Sequence, residues 1–244
     1  MSHNRGTLYL VPVTLGEGDP ADVLPARTLE VARRLTHFIV EDAKSARQFL
    51  KTAHYPLPIQ SAVMTALNEH TPAKDVPALL KPMLEGIDCG LMSEAGCPAV
   101  ADPGALLVRH AHEAGINVVP LVGPSSILLA LMASGFPGQR FVFHGYLPVA
   151  ADARHRRLRE LEHESETNDA TQIFIEAPYR NTSMMQSLLQ HCRQDTLLCV
   201  AVELTAPGEN IMTRGIAAWK KNIPELGRRP AVFLLYRPGK QRLF

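Results

Sequence analysis

The sequence predicts an α/β protein made of two α/β domains, a parallel sheet followed by a mixed sheet. In the first half, short strand-like runs alternate with helical stretches, and this order implies a mostly parallel sheet with helices on its faces. In the second half there are more strands per helix, which indicates a mixed sheet. A length of 244 residues suits two domains of about 120 residues each, and we place them at residues 1–122 and 123–244.

Hydrophobic periodicity and turn residues locate the elements of the first half. Apolar, β-rich runs predict strands at residues 7–13, 37–40, 88–93 and 117–122. Helical patterns fall at residues 27–35, 43–53 and 75–85. A further helix has Asp102 as its N-cap, Pro103 in its first position and Gly115 at its C-terminal cap. Residues 54–72 contain Pro and His and are predicted to be irregular around a short helix.

The second half opens with an apolar helix at residues 125–134, for which Ser125 is a possible N-cap and Gly135 a stop. Strands are predicted at residues 141–147, 171–175, 197–204 and 231–236. Helices are predicted near residues 153–164, 182–192 and 216–220.

Several classes of protein are excluded by composition and by the apolar runs. The chain opens without an apolar signal segment, and its longest apolar helical run, residues 127–133, is far below the ~20 residues of a membrane span. We therefore expect a soluble, cytoplasmic protein without membrane association. The 4 Cys form no C-x-x-C pair and the 10 His show no metal-binding spacing, so we expect buried thiols and no metal site.

Charge is balanced, with 25 Lys and Arg against 24 Asp and Glu. This excludes a strongly basic protein that coats nucleic acid, so any contact with RNA must use a local patch. The concentrated basic run, residues 154–159, could meet phosphates. Because four glutamates follow it at alternate positions, a solvated helix with i,i+4 ion pairs is the favoured interpretation.

The familiar nucleotide motifs are missing. The loop after the first strand has a G-x-G at Gly16 and Gly18 but lacks the third glycine, which disfavours a Rossmann dinucleotide site or an ordinary Rossmann methyltransferase. The sequence also has no P-loop and no G-x-S-x-G elbow, so phosphate cradling and Ser-His-Asp catalysis lack support.

Two strand-to-helix turns are candidate binding loops. Residues 93–104 leave the end of a predicted parallel strand, where ligands of open sheets bind, and their small residues let backbone approach a flat ligand. The alternative is a tight structural connection. The turn at residues 122–126 places Ser125 and Ser126 at a helix start, where they can contact a ligand or simply cap the helix.

Candidate acid–base groups follow the second strand and the irregular stretch. Glu41 and Asp42 can bind a hydroxyl, a cation or a proton, or can simply favour the next helix N-terminus. Glu69 and His70 could form an acid–base pair or an exposed loop pair.

Taken in order, the motifs resemble those of the tetrapyrrole methylase superfamily and, within it, the ribosomal RNA small subunit methyltransferase I family. The likeness spans nearly the whole chain. It is carried by SEAGCPAVADPG, PLVGPSSILLALMASGFP, FHGYLP, IFIEAPYR and VELTA. In the same order, these segments are similar to the family patterns S-D-A-G-T-P-x-x-S-D-P-G, P-L-P-G-P-S-A with A-L-x-x-S-G-L-P, F-x-G-F-L-P, I-F-Y-E-S-P-H-R and R-E-L-T-K. The order of these motifs is more specific than any single one.

The resemblance implies a cytoplasmic homodimer that binds S-adenosylmethionine (SAM) in a cleft between the two α/β domains. It implies SAM contacts from the end of the first strand, the central loop, the domain junction and two later motifs. The matching positions are Pro12, Leu15, Ser93, Glu94, Ala95, Gly96, Val100, Asp102, Ser125, Ser126, Ala177, Pro178 and Leu204.

We therefore predict a SAM-dependent methyltransferase whose acceptor is a ribose 2′-hydroxyl of 16S ribosomal RNA in the small ribosomal subunit. Candidates for the base are Glu41, Asp42 and His70, and Tyr146 or His144 would shape the acceptor side. The family's basic residues are replaced at Val202 and Ala206. With the balanced charge, this keeps open a small-molecule (tetrapyrrole-like) or protein acceptor, and a non-catalytic SAM-binding dimer that regulates a partner.

Overall fold

The computed structural model describes residues 5–239 and divides the chain into two compact units, one ending at Ser125 and the other beginning at Ser126. The division lies slightly beyond the boundary after Val122 that the sequence suggests. Each unit has its own five-stranded sheet with helices around it, the first sheet parallel and the second mixed. The predicted α/β class and the order of the two sheets are confirmed.

The first unit is built on an all-parallel sheet of strand order β3-β2-β4-β1-β5. Its strands are β1 (Thr7–Leu10), β2 (His37–Val40), β3 (Val63–Ala66), β4 (Cys89–Met92) and β5 (Asn117–Pro120). Its helices are α1 (Ala26–Arg34), α2 (Ala43–Thr52), α3 (Lys81–Leu84) and α4 (Gly104–Glu113), with 3₁₀ turns at Pro20–Asp22, Ile59–Ser61 and Ala73–Leu80.

Both faces of this parallel sheet are buried, because side chains alternate along each strand. On β2, Phe38 and Val40 pack into one apolar cluster, while Ile39 packs into the other. The first cluster includes the buried face of α1 and α2, and the second includes Leu107 and Ala111 of α4. This two-sided burial fixes the strands and thereby the loops that leave their carboxyl ends.

Two segments of the first unit differ from the sequence-based prediction. The stretch predicted as irregular around a short helix contains β3, a four-residue edge strand whose side chains are mostly exposed. The predicted helix at residues 75–85 is a 3₁₀ segment, Ala73–Leu80, followed by the short α3. Pro77 and Pro82 lack the N–H groups that a continuous α-helix would require.

The second unit has the strand order β6-β7-β10-β8-β9. Its strands are β6 (Phe141–Tyr146), β7 (Thr171–Ile175), β8 (Leu197–Val202), β9 (Asn210–Gly215) and β10 (Ala231–Tyr236). Its helices are α5 (Ser126–Ser134), α6 (Ala151–Asn168), α7 (Asn181–His191) and α8 (Ile216–Trp219), with a 3₁₀ turn at Pro178–Arg180. β6 and β7 are parallel and the other pairs are antiparallel. The edge strand β9 is absent from the prediction.

The core of the second unit is centred on aromatic side chains. Phe174 and Phe233 stack with ring centroids 5.6 Å apart, and the buried Trp219 donates its indole N–H to the carbonyl of Leu198 at 2.9 Å. The basic run of residues 154–159 lies on α6, but its first member is structural, because the buried Arg154 donates to Ser187 Oγ and to the carbonyl of Val149.

All 4 cysteines are free thiols, and three of them, Cys89, Cys192 and Cys199, are buried. Burial raises the pKa of the Cys89 thiol to about 12, and the nearby Asp88 carboxylate adds to the rise. Such thiols behave as small apolar core groups at neutral pH. Within residues 5–239, no helix combines the length and the apolar character needed to cross a membrane.

A stacked histidine pair on α6 and α7 makes the stability of the protein depend on pH. The rings of His155 and His191 lie 3.6 Å apart, and partial burial with the neighbouring His155, Arg159 and Arg154 lowers the pKa of His191. A histidine with a lowered folded-state pKa costs stability once the pH falls below its unfolded pKa of about 6.5. We expect the free energy of unfolding to fall between about pH 7.5 and 5.5 in urea titrations, and to fall less in His191→Gln.

The control for this titration is His112→Gln, which replaces an exposed histidine of α4. This variant is expected to keep the wild-type pH dependence. If His191→Gln and His112→Gln give identical slopes, the stacked pair does not contribute.

Candidate functional site

The first unit has a cleft of about 1330 Å³ at the carboxyl edge of its sheet. Its lining comes from the loop after β1, from one side of α2 and from the start of the loop after β4. The carboxyl edge is where open parallel sheets bind ligands. The cleft therefore occupies the position that the fold favours for a site.

The loop at residues 93–104 adopts a conformation that its residue types do not favour. Ala99 and Ala101 have φ of 65° and 60°, the left-handed region that costs a non-glycine residue about 1–2 kcal/mol. Gly96 is also left-handed, and a Cβ there would lie 3.0 Å from Leu15 Cδ2. Backbone strain of this kind clusters at ligand sites, where it positions polar groups in advance.

Asp102 holds this loop in its strained form. Its carboxylate accepts the N–H of Ala99 at 2.8 Å and the N–H of Gly104 at 2.7 Å. α4 begins at Gly104 with Pro103 at its N-cap, one residue later than predicted, and Asp102 accepts the N–H of Gly104 from the position before the cap. Burial raises the pKa of Asp102, the two N–H groups oppose that rise, and the nearby Glu41 carboxylate adds to it.

Glu41 joins the loops that follow β2 and β4. Its backbone N–H donates to the carbonyl of Met92 at 3.1 Å, and its carboxylate accepts the N–H of Glu94 at 3.0 Å. The start of the 93–104 loop is further fixed by Ser93, whose hydroxyl donates to the carbonyl of Ala95 at 3.2 Å. Two carboxylates, Glu41 and Asp102, therefore brace opposite ends of one loop.

Asp42 caps α2. Its carboxylate accepts both the N–H and the hydroxyl of Ser45, at 2.7 and 2.8 Å, and these bonds lower the pKa of Asp42. His70 lies in an exposed turn beside Glu69, with 3.7 Å between Nε2 and the carboxylate, and is not among the residues that line the cleft. Of the three candidate bases, only Asp42 lines the cleft. Glu41 lies at the same sheet edge through its hydrogen bond with Glu94, and His70 lies in an exposed turn.

The remaining predicted SAM contacts of the first unit lie around the same edge. Leu15, Glu94 and Ala95 line the cleft, and Val100 is about half exposed in the loop. Pro12 is buried against Gly123, and Ser125 ends the first unit.

Gly123 cannot accept a side chain without movement of its neighbours. A Cβ at this position would lie 2.3 Å from Pro12 Cβ and 2.9 Å from Leu24 Cδ2. Overpacking of this kind costs about 1–3 kcal/mol. We expect Gly123→Ala to lower the free energy of unfolding by that amount. Because the displaced Pro12 is a predicted SAM contact, we also expect calorimetry to show weaker binding of S-adenosylhomocysteine.

The matched control is Gly138→Ala, where the nearest atom, Leu131 Cδ2, is 4.0 Å from the added Cβ. This variant should unfold like the wild type. Equal stability of the two alanine variants would contradict the tight contact at Gly123.

In the second unit, Ala177 and Pro178 lie on a turn fixed by a buried ion pair. The Glu176 carboxylate, whose side chain is 1% exposed, accepts the N–H of Ala177 at 2.8 Å and the Nε–H of Arg180 at 2.7 Å. The exposed Pro178 begins a 3₁₀ turn. The pair therefore positions the turn that carries two predicted contacts.

Leu204, also in the second unit, lies between two strained residues. Glu203 and Thr205 have φ of 50° and 66°, and the Leu204 side chain is buried. Glu203 forms an ion pair with Arg229 at 3.6 Å, and Thr205 donates its N–H to the Glu209 carboxylate at 2.7 Å. Like the 93–104 loop, this loop contains left-handed non-glycine residues, and a carboxylate accepts the backbone N–H of one of them, Thr205. Ser126, the remaining predicted contact, is the first residue of α5.

His144 is held in a single neutral tautomer. Its Nδ1 accepts from the Arg157 guanidinium at 3.2 Å, so its Nε2 carries the proton and donates to Gln172 Oε1 at 2.7 Å. Burial lowers the pKa of His144, which keeps it neutral. Tyr146, by contrast, is 60% exposed.

Sequence reasoning missed three features of this region. These are the contact of Glu41 with Glu94, the Glu176–Arg180 pair, and the side of α2 that lines the cleft. The i,i+4 spacing of Glu176 and Arg180 and the helical spacing of polar residues on α2 were visible signals. The contact of Glu41 with Glu94 joins residues far apart in the chain and left no local signal.

Comparison with known proteins identifies the family. The family model described as Tetrapyrrole (Corrin/Porphyrin) Methylases matches residues 7–218. A protein of Xylella fastidiosa strain Temecula1 named Ribosomal RNA small subunit methyltransferase I is 35% identical over 219 residues, which are 89% of this chain and 76% of the relative. The protein of the same name from Vibrio cholerae serotype O1 is 34% identical, covering 86% of this chain and 69% of the relative.

A solved structure shares the fold. The crystal structure of the methyltransferase CobJ matches with a TM-score of 0.64 and 18% sequence identity, covering 98% of this chain and 97% of that one. The all-parallel first sheet and the mixed second sheet therefore belong to a known fold. The chain belongs to the tetrapyrrole methylase family and is a methyltransferase of the ribosomal RNA small subunit methyltransferase I type.

Proposed function

We propose that this chain transfers the methyl group of SAM to a ribose 2′-hydroxyl of 16S ribosomal RNA. The observation that carries the proposal is the strained, carboxylate-braced loop at residues 93–104, at the carboxyl edge of the first sheet. The relatives named Ribosomal RNA small subunit methyltransferase I support the choice of acceptor, since they are 31–36% identical to this chain.

The residues present fit SAM. The left-handed backbone at Ala99 and Ala101 and the close contact of Gly96 with Leu15 fix the shape of the loop that would contact SAM. From the first unit, Pro12, Leu15, Ser93, Glu94, Ala95, Gly96, Val100, Asp102 and Ser125 would hold it. The family resemblance also predicts contacts from Ser126, Ala177, Pro178 and Leu204. SAM supplies an electrophilic methyl group on a sulfonium when it is bound.

The chain's own contribution is orientation and removal of a proton. Methyl transfer needs the acceptor oxygen aligned within about 3–3.5 Å of the methyl carbon, and alignment supplies much of the rate. We assign proton acceptance to Glu41, because its half-buried carboxylate lies at the loop edge. The Asp42 carboxylate is occupied by the cap of α2, and His70 is exposed beside Glu69.

Two measurements test this function. Calorimetric titration with S-adenosylhomocysteine should show binding, and its absence would refute the cofactor assignment. Mapping of 2′-O-methyl groups in 16S ribosomal RNA from a deletion strain should reveal one lost mark that the purified protein restores on small subunits. Cofactor binding without any lost mark would shift the proposal to a small-molecule or protein acceptor, and binding without turnover on any acceptor would favour a regulatory dimer.

We also propose a cytoplasmic homodimer. α5 is apolar on more than one side, with Leu128 49% and Met132 78% exposed one turn apart. A second copy of the chain would cover this face. Sedimentation equilibrium should give about twice the chain mass of 26.8 kDa, and a monomer mass at micromolar concentration would refute the dimer.

A further inference from the structure

α2 presents a row of basic side chains to the cleft of the first unit. Lys44, Arg47 and Lys51 all line the cleft, and their spacing of three and four residues places them on one side of the helix. We call these three residues the α2 basic row. Gln48 and Thr52, on the same side of α2, also line the cleft.

The other side of α2 fixes the row in place. Ala46, Phe49 and Leu50 are buried in the apolar cluster of the first sheet, and Asp42 caps the start of the helix. The three basic side chains are therefore carried by a rigid element rather than by a mobile loop. A site on a rigid helix holds its charges at a defined spacing.

The basic row lacks the acidic partners that surface helices usually supply. Among residues 5–239, no carboxylate oxygen lies within 4.0 Å of the charged groups of Lys44, Arg47 or Lys51. Lys44 acts on Asp42 only as a more distant charge. Neighbouring like charges on one helix side repel each other, so the helix maintains an arrangement that an anionic ligand would relieve.

The charges on the rest of the cleft lining indicate which class of anionic ligand would fit. Three exposed carboxylates also line the cleft: Glu17 and Glu94 lie on the loops after β1 and β4, and Asp42, which accepts from Ser45, lies at the start of α2. A cleft with a basic helix on one side and carboxylates on another suits a ligand that is anionic at one edge and donates hydrogen bonds at another. A nucleotide strand has this pattern, with phosphates along its backbone and ribose hydroxyls and base amino groups beside them.

We propose that the α2 basic row binds the phosphates of the RNA strand that carries the acceptor ribose. The inference rests on the proposed function, and it explains how a chain with a net charge of +1 can bind RNA, since the positive charge is local. The row would also supply positive charge that Val202 and Ala206 do not provide. Phosphate contacts of this kind position the strand without reading its sequence.

The test compares Lys44→Gln/Arg47→Gln/Lys51→Gln with a matched control, Lys74→Gln/Lys81→Gln/Arg109→Gln. The control removes the same charge from exposed residues of the first unit that do not line the cleft. Binding of a labelled mixed-sequence 12-nucleotide single-stranded RNA is followed by fluorescence anisotropy between 50 and 300 mM KCl. Thermal melting and S-adenosylhomocysteine titration of each variant confirm folding and cofactor binding.

We expect the row variant to lose about tenfold to hundredfold in RNA affinity at 100 mM salt. The slope of log K against log salt should fall in magnitude by about 2, since each single-strand phosphate contact contributes about 0.7. The RNA affinity of the control variant should remain within about twofold of that of the wild type, because its altered residues do not line the cleft. Equal affinity and equal slope in the row variant and the control would overturn the inference.

A second readout separates this inference from the proposed function. The wild type and the row variant are compared by the concentration of small subunits that half-saturates 2′-O-methylation. If both proteins restore the mark and this concentration is the same, the inference fails and the proposed function stands. If the row variant loses RNA affinity while the wild type methylates no ribosomal RNA, the function fails and the phosphate site stands. If a carboxylate-bearing tetrapyrrole competes with the RNA at equal or lower concentration, the row serves a small anionic acceptor and the RNA assignment is overturned.

Discussion

Replacing Glu176 with alanine is expected to lower the free energy of unfolding by about 3–5 kcal/mol, the typical cost of removing one partner of a buried ion pair. The Glu176 side chain is 1% exposed and accepts three N–H groups, from Ala177 and from Nε and the terminal nitrogen of Arg180. Its removal leaves the largely buried guanidinium of Arg180 without a counter-charge. Urea unfolding followed by circular dichroism measures the loss.

The matched control is Glu85→Ala, which breaks another i,i+4 pair, with Lys81, on the exposed surface of α3. Exposed pairs contribute about 0–1 kcal/mol, so this variant should unfold close to the wild type. The double variant Glu176→Ala/Arg180→Ala should recover part of the loss, because no uncompensated charge remains. A loss below about 1 kcal/mol in Glu176→Ala would show that water already screens the pair.

Glu41 gives the second large effect, and two substitutions separate its two roles. Glu41→Gln keeps an oxygen that can accept the N–H of Glu94 but removes the basic carboxylate. We expect kcat to fall about a hundredfold, the lower range for loss of a general base, with S-adenosylhomocysteine affinity nearly unchanged. Single-turnover methyl transfer to small subunits measures the rate.

Glu41→Ala removes both roles. We expect the same fall in kcat as in Glu41→Gln. We also expect the affinity for S-adenosylhomocysteine to fall about tenfold, because a charge-assisted hydrogen bond that fixes the 93–104 loop is lost. Asp42→Asn serves as the control, since that side chain keeps an acceptor for Ser45 and is not assigned a proton. A fully active Glu41→Gln variant would make Glu41 a positioning residue only.

The elements that the sequence predicts well are those with a buried side. β1, β2 and β4 carry short apolar runs because both faces of the parallel sheet are covered. The two missed strands, β3 and β9, are edge strands whose side chains are largely exposed or half-buried, so no apolar alternation marks them. The pairing of β3 and β9 depends on the backbone of the neighbouring strand, and the local sequence pattern carries no information about that neighbour.

The parts of the candidate site that consist of continuous sequence motifs could be predicted. The contacts between residues far apart in the sequence could not. The 93–104 loop follows a strand and precedes a capped helix, and both facts are local. Its left-handed alanines were not foreseeable, because glycine is the residue that favours such a backbone. The contact of Glu41 with Glu94 requires β2 and β4 to be neighbours, which only the strand order reveals.

The strand order of the first unit also sets the timing of its folding. β1 is the first strand to be synthesised, yet its partners are β4 and β5, with Leu8 opposite Cys89 and Thr7 opposite Asn117. At about 5–20 residues per second of translation, the N-terminal strand waits on the order of 5–20 s for its last neighbour. Its unpaired backbone is open to foreign strands during that interval, so a ribosome-bound chaperone should be retained until residue 120 has emerged.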